Sequence, residues 1–247
     1  MLLLAAMMFM PSAPTRAEGI SSEQADAILK ELKSIRKLLE RVEKQGLARA
    51  PVQRPKAVAV QVSTKGRPVL GSPDAPITLV EFTDYQCPYC SRFSKTTLPQ
   101  IRKQYIDTGK VRLVVKDLPL AFHVNARRAA EAAHCAGDQG QYWSMHDVLY
   151  QNTKQLGDAD LYTYAEQISL DVDAFRQCLD SDRYVAAIDK DLAEARDVGI
   201  TGTPTFVIGR TSDDVINGTI LRGAQPFVAF EQRIKLLLEK TKAQAGS

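Results

Sequence analysis

Two cysteines separated by two residues, Cys87-Pro88-Tyr89-Cys90, are the part of this 247-residue chain best equipped for chemistry. Sulfurs at that spacing can close a small disulfide or pass one on through a mixed disulfide. The apolar run ITLVEF at 77–82 reads as a strand ending just before them, and Pro88 suits the first position of a helix, where its missing N–H costs nothing. Cys87 is therefore expected at a helix N-terminus, where free amides and the helix dipole favour a thiolate and lower its pKa from about 8.5. Cys87 is the expected nucleophile, and Cys90, one turn later and more buried, the resolving thiol. Pro88 stiffens the spacer and Tyr89 adds no positive charge, so a weaker oxidant is expected than from a spacer containing histidine. The competing reading is half of a zinc site. Zinc needs more ligands, yet Cys135 and Cys178 form no second CxxC, and His123, His134 and His146 show no ligand spacing. No metal and no cofactor are expected.

Two further features favour redox chemistry. Gly202-Thr203-Pro204-Thr205 precedes a strand, where a proline would deny a ladder hydrogen bond unless the turn is special. A cis Thr203-Pro204 bond would make it so, with the Thr203 backbone facing the dithiol and pairing with a substrate chain; an ordinary proline at the start of a strand is the alternative. Glu81 interrupts the apolar strand where burial is expected. A buried carboxyl has a raised pKa and can take a proton from Cys90 during exchange, whereas on an alternating strand Glu81 would merely face outward. Lys116 in the next strand is a candidate partner for it. Cys135 and Cys178, 43 residues apart, are read as a structural disulfide rather than two free buried thiols. Such a loop stabilises by roughly 4 kcal/mol on the chain-entropy account. Asp84, Tyr85, Phe122 and His123 border the same region, as packing or capping groups or as parts of the site.

The elements that must hold these residues alternate in kind. Strand candidates lie at 58–62, 77–82, 111–115, 205–208 and 215–221, the last containing Asn217-Gly218 as a turn or bulge. Between 124 and 199 the period is helical, punctuated at Gly137, Gly140, Gly157 and Gly199, and reads as an insertion of several short helices. A last amphipathic helix comes after Pro226, with Phe227, Phe230, Ile234 and Leu237 on one side.

Ahead of this domain the chain changes character. Residues 1–17 are small and apolar, with Thr15 and Ala17 placed for signal cleavage, and read as an export leader too short to span a membrane. No Lys or Arg precedes the apolar run, as if the start lay inside a longer leader. A helix then spans residues 18–47, with Ala25, Ile28, Leu32, Ile35, Leu39 and Val42 at alternating spacings of three and four. Leu at a and Ile at d favour more than two strands, so a trimerising coiled-coil stalk is expected, against a helix packed on its own domain. The proline-bearing stretch 48–57 reads as an extended linker. Net charge is +3, but outside the leader and residues 18–57 there are 22 basic and 23 acidic side chains, which leaves no basic footprint for nucleic acid.

From about residue 69 onward the runs FTDYQCPYC, KDLPLAFHVNARRAAEAAHCA, QGQYWSMHDVLYQ and GITGTPTFVIG resemble the DsbA-like thioredoxin-fold proteins. The resemblance implies an α/β thioredoxin fold at 58–247 with a helical subdomain inserted at about 124–199. It implies Cys87 and Cys90 as the redox-active disulfide, Pro204 in cis beside them, and Glu81 as the buried acid. Thr203 before that proline, rather than the Val usual in the monomeric oxidase, resembles the isomerases of the same system, and an N-terminal stalk resembles the trimeric ScsC-type proteins linked to copper tolerance. The expected function is therefore a periplasmic thiol:disulfide oxidoreductase, oxidase or isomerase. Its expected partners are unfolded or misoxidised exported proteins and a membrane redox protein of the DsbB, VKOR or DsbD kind. The alternative is a protein that holds Cu(I) on the same soft thiolates.

Overall fold

The computed structural model describes residues 20–44 and 59–245, so the expected leader at 1–17 and linker at 48–57 lie outside the described residues. The chain divides into two units, Met1–Pro55 and Lys56–Ser247. In the first, helix α1 (Ser22–Lys44) starts at a reciprocal cap: the Ser21 hydroxyl accepts from the Gln24 amide (3.2 Å) and the Gln24 side chain accepts from the Ser21 amide (3.0 Å). Ile28, Leu32, Ile35 and Leu39 of the expected seam stand 49–62% exposed, flanked by exposed Leu29 and Leu38.

The second unit is built on a six-stranded sheet of β1 (Ala59–Ser63), β2 (Val69–Leu70), β3 (Ile77–Thr83), β4 (Val111–Asp117), β5 (Thr205–Arg210) and β6 (Val215–Arg222), in the order β1-β6-β5-β3-β4-β2. β3 and β4 run parallel and every other pair is antiparallel. β3 and β4 are buried throughout because helices cover both faces of the sheet. On one face Ile77, Leu79, Leu113, Phe206 and Ile208 meet Phe93 and Ile101 of the helical segment after the cysteines, and Phe230 and Ile234 of the last helix α9 (Phe227–Ala245). On the other, Val80, Phe82, Val114 and Val207 meet Ala195 and Ile200.

The helical segment after Cys87 is broken into α2 (Pro88–Arg92) and α3 (Leu98–Ile101), with π-helical turns at Phe93–Thr97 and Arg102–Ile106. Pro99 offers no N–H and its ring crowds the carbonyl one turn back, so regular α-helical bonding is interrupted there. The insert comprises α4 (Ala126–Gly137), α5 (Tyr142–Gln151), α6 (Asp158–Gln167), α7 (Val172–Asp180) and α8 (Val185–Asp197). α4 buries Ala129, Ala130, Ala132, Ala133 and Ala136, small residues that let its neighbours approach closely. The Cys135–Cys178 disulfide ties α4 to α7, with Cα atoms 5.8 Å apart.

Two sequence readings are corrected. Asn217-Gly218 forms neither a turn nor a bulge; both lie within β6, with Gly218 opposite Val60 on one side and Gly209 on the other. A Cβ on Gly218 would come within 2.6 Å of Val207 Cγ1 and 2.8 Å of the Ile208 carbonyl oxygen, so the glycine serves close strand approach. Lys116 is not the partner of Glu81. The register sets Glu81 opposite Val115 and Phe82 opposite Lys116, which sends the lysine to the other face of the sheet. There its ammonium meets Asp191 (2.8 Å), Glu194 and the Ser63 carbonyl (3.2 Å), while Arg67 also pairs with Asp191 (3.0 Å). This buried cluster pins α8 to the sheet.

Cutting the insert's cross-link tests its structural weight. Replacing Cys135 and Cys178 together by alanine is expected to lower unfolding free energy by about 4 kcal/mol on the chain-entropy account, read from the urea midpoint.

Candidate active site

β3 delivers the chain to the loop Asp84-Tyr85-Gln86, whose conformation is set by the buried Asp84 carboxylate. Its Oδ1 accepts from the backbone N–H of Gln86 (2.7 Å) and Cys87 (3.2 Å), and its Oδ2 from Leu120 N–H (2.8 Å). Oδ2 also lies 2.8 Å from His123 Nδ1. The loop before the cysteines is thus fastened to the loop leading into the insert. Cys87 is the N-cap of α2, in extended conformation with Pro88 next to it. Both sulfurs are unbonded, Cys87 nearly buried and Cys90 fully so.

From the other side comes the turn after α8. Gly199, at φ +71°, ends that helix in a conformation suited to glycine, and the Thr203-Pro204 peptide is cis. The cis turn puts the Thr203 carbonyl 3.5 Å from Cys87 Sγ. The Thr203 hydroxyl is buried beside the same sulfur. Beneath, Glu81 is 1% exposed, and its Oε1 accepts from the Thr83 hydroxyl (2.9 Å) two residues along the same face of β3.

These surroundings treat three acids differently. The hydrogen bond from the Cys90 thiol, then those from the Thr203 side chain and the Cys90 and Tyr89 backbone, hold the Cys87 pKa down at about 5 against the opposing effect of burial. Burial first, then the bond to Cys87 and the charge of Glu81, pushes the Cys90 thiol well above its ordinary value. Burial lifts Glu81 to about 8, the Thr83 bond opposing it and the charge of Cys87 adding to it. One site thus offers a thiolate, a thiol and a carboxyl able to exchange a proton near neutrality. That set fits thiol-disulfide exchange.

The structure brings Cys87, Cys90, Thr203, Pro204 and Glu81 together, and places Cys135 and Cys178 elsewhere, bonded to each other in the insert and unable to join the first pair around a metal. Of the bordering residues, Asp84 and His123 organise the loop, Tyr85 packs in the core, and Phe122 stands 75% exposed with its ring edge against His123. Sequence reading missed Thr83 and Tyr150. The Tyr150 hydroxyl lies 2.5 Å from Thr83 Oγ1, and the Tyr150 carbonyl accepts from Ser91 on α2 (2.9 Å), so α5 touches both the hydroxyl that bonds the acid and the helix bearing the cysteines. Thr83 was within reach of pattern reading, two positions from Glu81 on one strand face; Tyr150 required knowledge of how α5 packs.

A family profile described as thioredoxin matches residues 63–234. Disulfide bond formation protein D of Bacillus subtilis is 32% identical over 165 residues, which cover 62% of this chain and 72% of that protein. A Na(+)/H(+) antiporter of Salinispora tropica is 41% identical over 141 residues, or 57% of this chain, but the match spans only 21% of the antiporter's length. Among solved structures, alpha-DsbA1 of Wolbachia pipientis aligns with TM-score 0.65 and 27% identity, covering 73% of this chain and 95% of that one. The catalytic domain of Proteus mirabilis ScsC aligns with TM-score 0.58 and 29% identity, covering 70% and 89%. With the profile spanning most of the chain and the cysteine pair seated at a helix start against a cis proline, the protein belongs to the thioredoxin family, among its DsbA-like thiol:disulfide oxidoreductases.

Proposed function

We propose that the chain works outside the cytoplasm, in the periplasm, where it exchanges disulfides with exported proteins through Cys87 and Cys90, and that it serves as an isomerase assembled through α1. The observation that carries the exchange reading is the placement of Cys87 at the N-terminus of α2, its Sγ 3.5 Å from the Thr203 carbonyl at the cis turn. Attack by the Cys87 thiolate on a substrate disulfide forms a Cys87–substrate bond and expels the substrate's other sulfur as a thiolate. In a reshuffle that thiolate, or another in the substrate, displaces Cys87 again. Where no substrate thiol does so, Cys90 gives its proton to Glu81 and attacks Cys87 Sγ, closing the internal disulfide and releasing reduced substrate. The charge on Cys87 is one of the causes that raise Glu81. Its loss in the mixed disulfide therefore moves Glu81 toward ionisation at the step where Cys90 must lose a proton.

The isomerase direction rests on Thr203 and on α1. The helix exposes apolar side chains at consecutive a and d positions, and exposed Leu29 and Leu38 widen that stripe at the flanking e and g positions. A trimer would bury the stripe and present three dithiols to one substrate. An isomerase also needs a reductant, which places a membrane protein of the DsbD kind among its partners, whereas an oxidase would need one of the DsbB or VKOR kind. Cu(I) capture is the less supported reading. Burial keeps the Cys90 thiol protonated, which opposes a bis-thiolate site. Copper titration of reduced wild type against Cys87→Ser checks it, and saturation at one Cu(I) lost in the variant would favour capture.

Two outcomes are expected. Thiolate absorbance should titrate near pH 5 in the reduced protein and vanish in Cys87→Ser. In Cys90→Ala the midpoint should rise toward the ordinary cysteine value, because the largest stabilising bond is gone. For the assembly, Leu32→Lys with Leu39→Lys should turn a sedimenting trimer into monomer and abolish reactivation of scrambled ribonuclease. Oxidation of reduced ribonuclease should persist, and a double variant that keeps both activities would remove α1 from the mechanism.

A further inference from the structure

Beside the cis turn, between α4 and α8, the domain opens a groove of about 560 Å³ to which disulfide exchange gives no role. Its floor is apolar, built by Leu120 from the loop between β4 and α4, Leu192 of α8 and Ile200 of the turn that follows α8. Two other lining residues are tied to the redox site. Thr201 stands two residues ahead of Thr203. His123 has its Nδ1 2.8 Å from Asp84, whose other carboxylate oxygen accepts the Cys87 N–H.

The groove is also cationic. Arg127 of α4 and Arg196 in the last turn of α8 both line it, and among the described residues no carboxylate does. Arg127 gives Nη2 to Asp189 (2.7 Å), but its Nη1 is buried and has no hydrogen-bond partner among the described residues. A desolvated guanidinium N–H lacking an acceptor is costly, and a carboxylate is the acceptor that suits it best. Arg196 is exposed and forms no ion pair among the described residues. Val124 lines the groove while 83% exposed, and Phe122 nearby stands 75% exposed. Their loop is nonetheless held in place, because the His123 N–H donates to the Leu120 carbonyl (2.8 Å) and the Ala126 N–H to the His123 carbonyl (3.1 Å). Apolar surface presented by a fixed loop at the rim of a groove marks a place of recognition.

Resting on the exchange reading above, we propose that this groove is a specificity site for the substrate polypeptide, taking an apolar side chain followed by an acidic one. A substrate segment paired with the Thr203 backbone runs extended at about 3.3 Å per residue, so side chains about three residues from its cysteine pass Thr201 and enter the groove. There the apolar side chain covers Leu192 and Ile200, and the carboxylate meets Arg127 and Arg196. Two cations over an apolar floor fit an amphipathic peptide. The site sorts exported chains by the sequence that flanks their cysteines and leaves the sulfur chemistry untouched, so Arg127 and Arg196 are positioning residues.

The test uses the reduced full chain and short peptides whose single cysteine is held as a mixed disulfide with 2-thiopyridine. Attack by the Cys87 thiolate forms the Cys87–peptide disulfide, breaks the peptide–pyridyl one and expels pyridinethiolate, which takes up a proton and is followed by absorbance in stopped flow. The peptides carry Leu-Asp, Leu-Asn or Leu-Lys at the third and fourth positions from the cysteine, in one set before it and in another after it. In at least one set the Asp peptide should react about fivefold faster than the Lys peptide at low salt, and the gap should narrow at about 0.5 M salt. Arg127→Gln with Arg196→Gln should bring the two rates within about twofold and leave the Asn peptide unchanged. Lys103→Gln with Lys110→Gln, exposed lysines away from the groove, should keep the preference. Arg196→Gln alone should reduce it, and because that side chain is exposed the comparison survives if the Arg127 variant folds poorly. Asp and Lys peptides of equal rate in wild type, a preference that outlasts the arginine changes, or one lost equally with the two lysines would overturn the proposal. Peptide rates that fall as protein concentration rises would put a second copy in the groove and overturn it too. No release from any peptide would instead strike at the exchange reading.

Discussion

A single negative charge, shared unequally among three buried acids, is the constraint on which the rest of the site depends. Cys87, Cys90 and Glu81 lie close enough to influence one another, and in so dry a place they cannot all ionise. The structure settles the competition by aiming donors. The Cys90 thiol, the Thr203 side chain and the first amides of α2 point at Cys87, while Cys90 and Glu81 receive fewer and are kept neutral by burial. The charge therefore sits on the sulfur nearest the surface, beside the cis turn where a substrate chain can lie. Had Lys116 faced Glu81, the carboxylate would have been stabilised and the proton acceptor lost near neutral pH. The strand register prevents this by sending Lys116 to Asp191 on the far side.

The fold reads as a set of supports for that distribution. β3 ends where Asp84 can cap the loop ahead of Cys87, and Asp84 in turn holds Leu120 and His123, so the approach to the cysteines and the approach to the insert are one hydrogen-bonded unit. The insert closes over the site through α5, whose Tyr150 contacts both Thr83 and Ser91. The Cys135–Cys178 bond and the alanine face of α4 keep that layer compact without adding charge near the thiolate. Arg92 brings a cation nearby, its guanidinium 5.2 Å from the Tyr89 ring, although Tyr89 itself supplies none.

Much of this was legible from residues alone, and the exceptions have physical causes. The cysteine pair, the proline after it and the strand before it form a local pattern, so the placement of Cys87 at a helix start needed no tertiary knowledge. The strands around 77–82, 111–115 and 205–208 and the helical insert were equally local. Asn217-Gly218 misled because the same dipeptide serves a turn and a close strand approach, and only the position of Val207 and Ile208 decides between them. Lys116 misled because period-two alternation gives its face only once the register with β3 is known. β2, two residues long, carries too little pattern to be seen, and the π turns around Pro99 were hidden inside an otherwise helical run. Tyr150 could not be found because it joins Thr83 across 67 residues of sequence.

The same electrostatics bears on the direction of electron flow. A Cys87 pKa lowered to about 5 favours the dithiol form from just above that value upward, and the advantage is lost as pH falls through it. The disulfide form carries no such charge, so near neutrality the protein is inclined to accept electrons. Taken alone this describes an oxidant. It describes an isomerase equally well once a reductant is at hand, because a dithiol stabilised in its reduced form stays charged and ready to attack. What separates the two is then access rather than chemistry: which membrane partner can reach Cys87, and whether several sites face one substrate. On the proposed reading, assembly through α1 and the surfaces around the cis turn would set that access, and the difference between oxidase and isomerase would lie there.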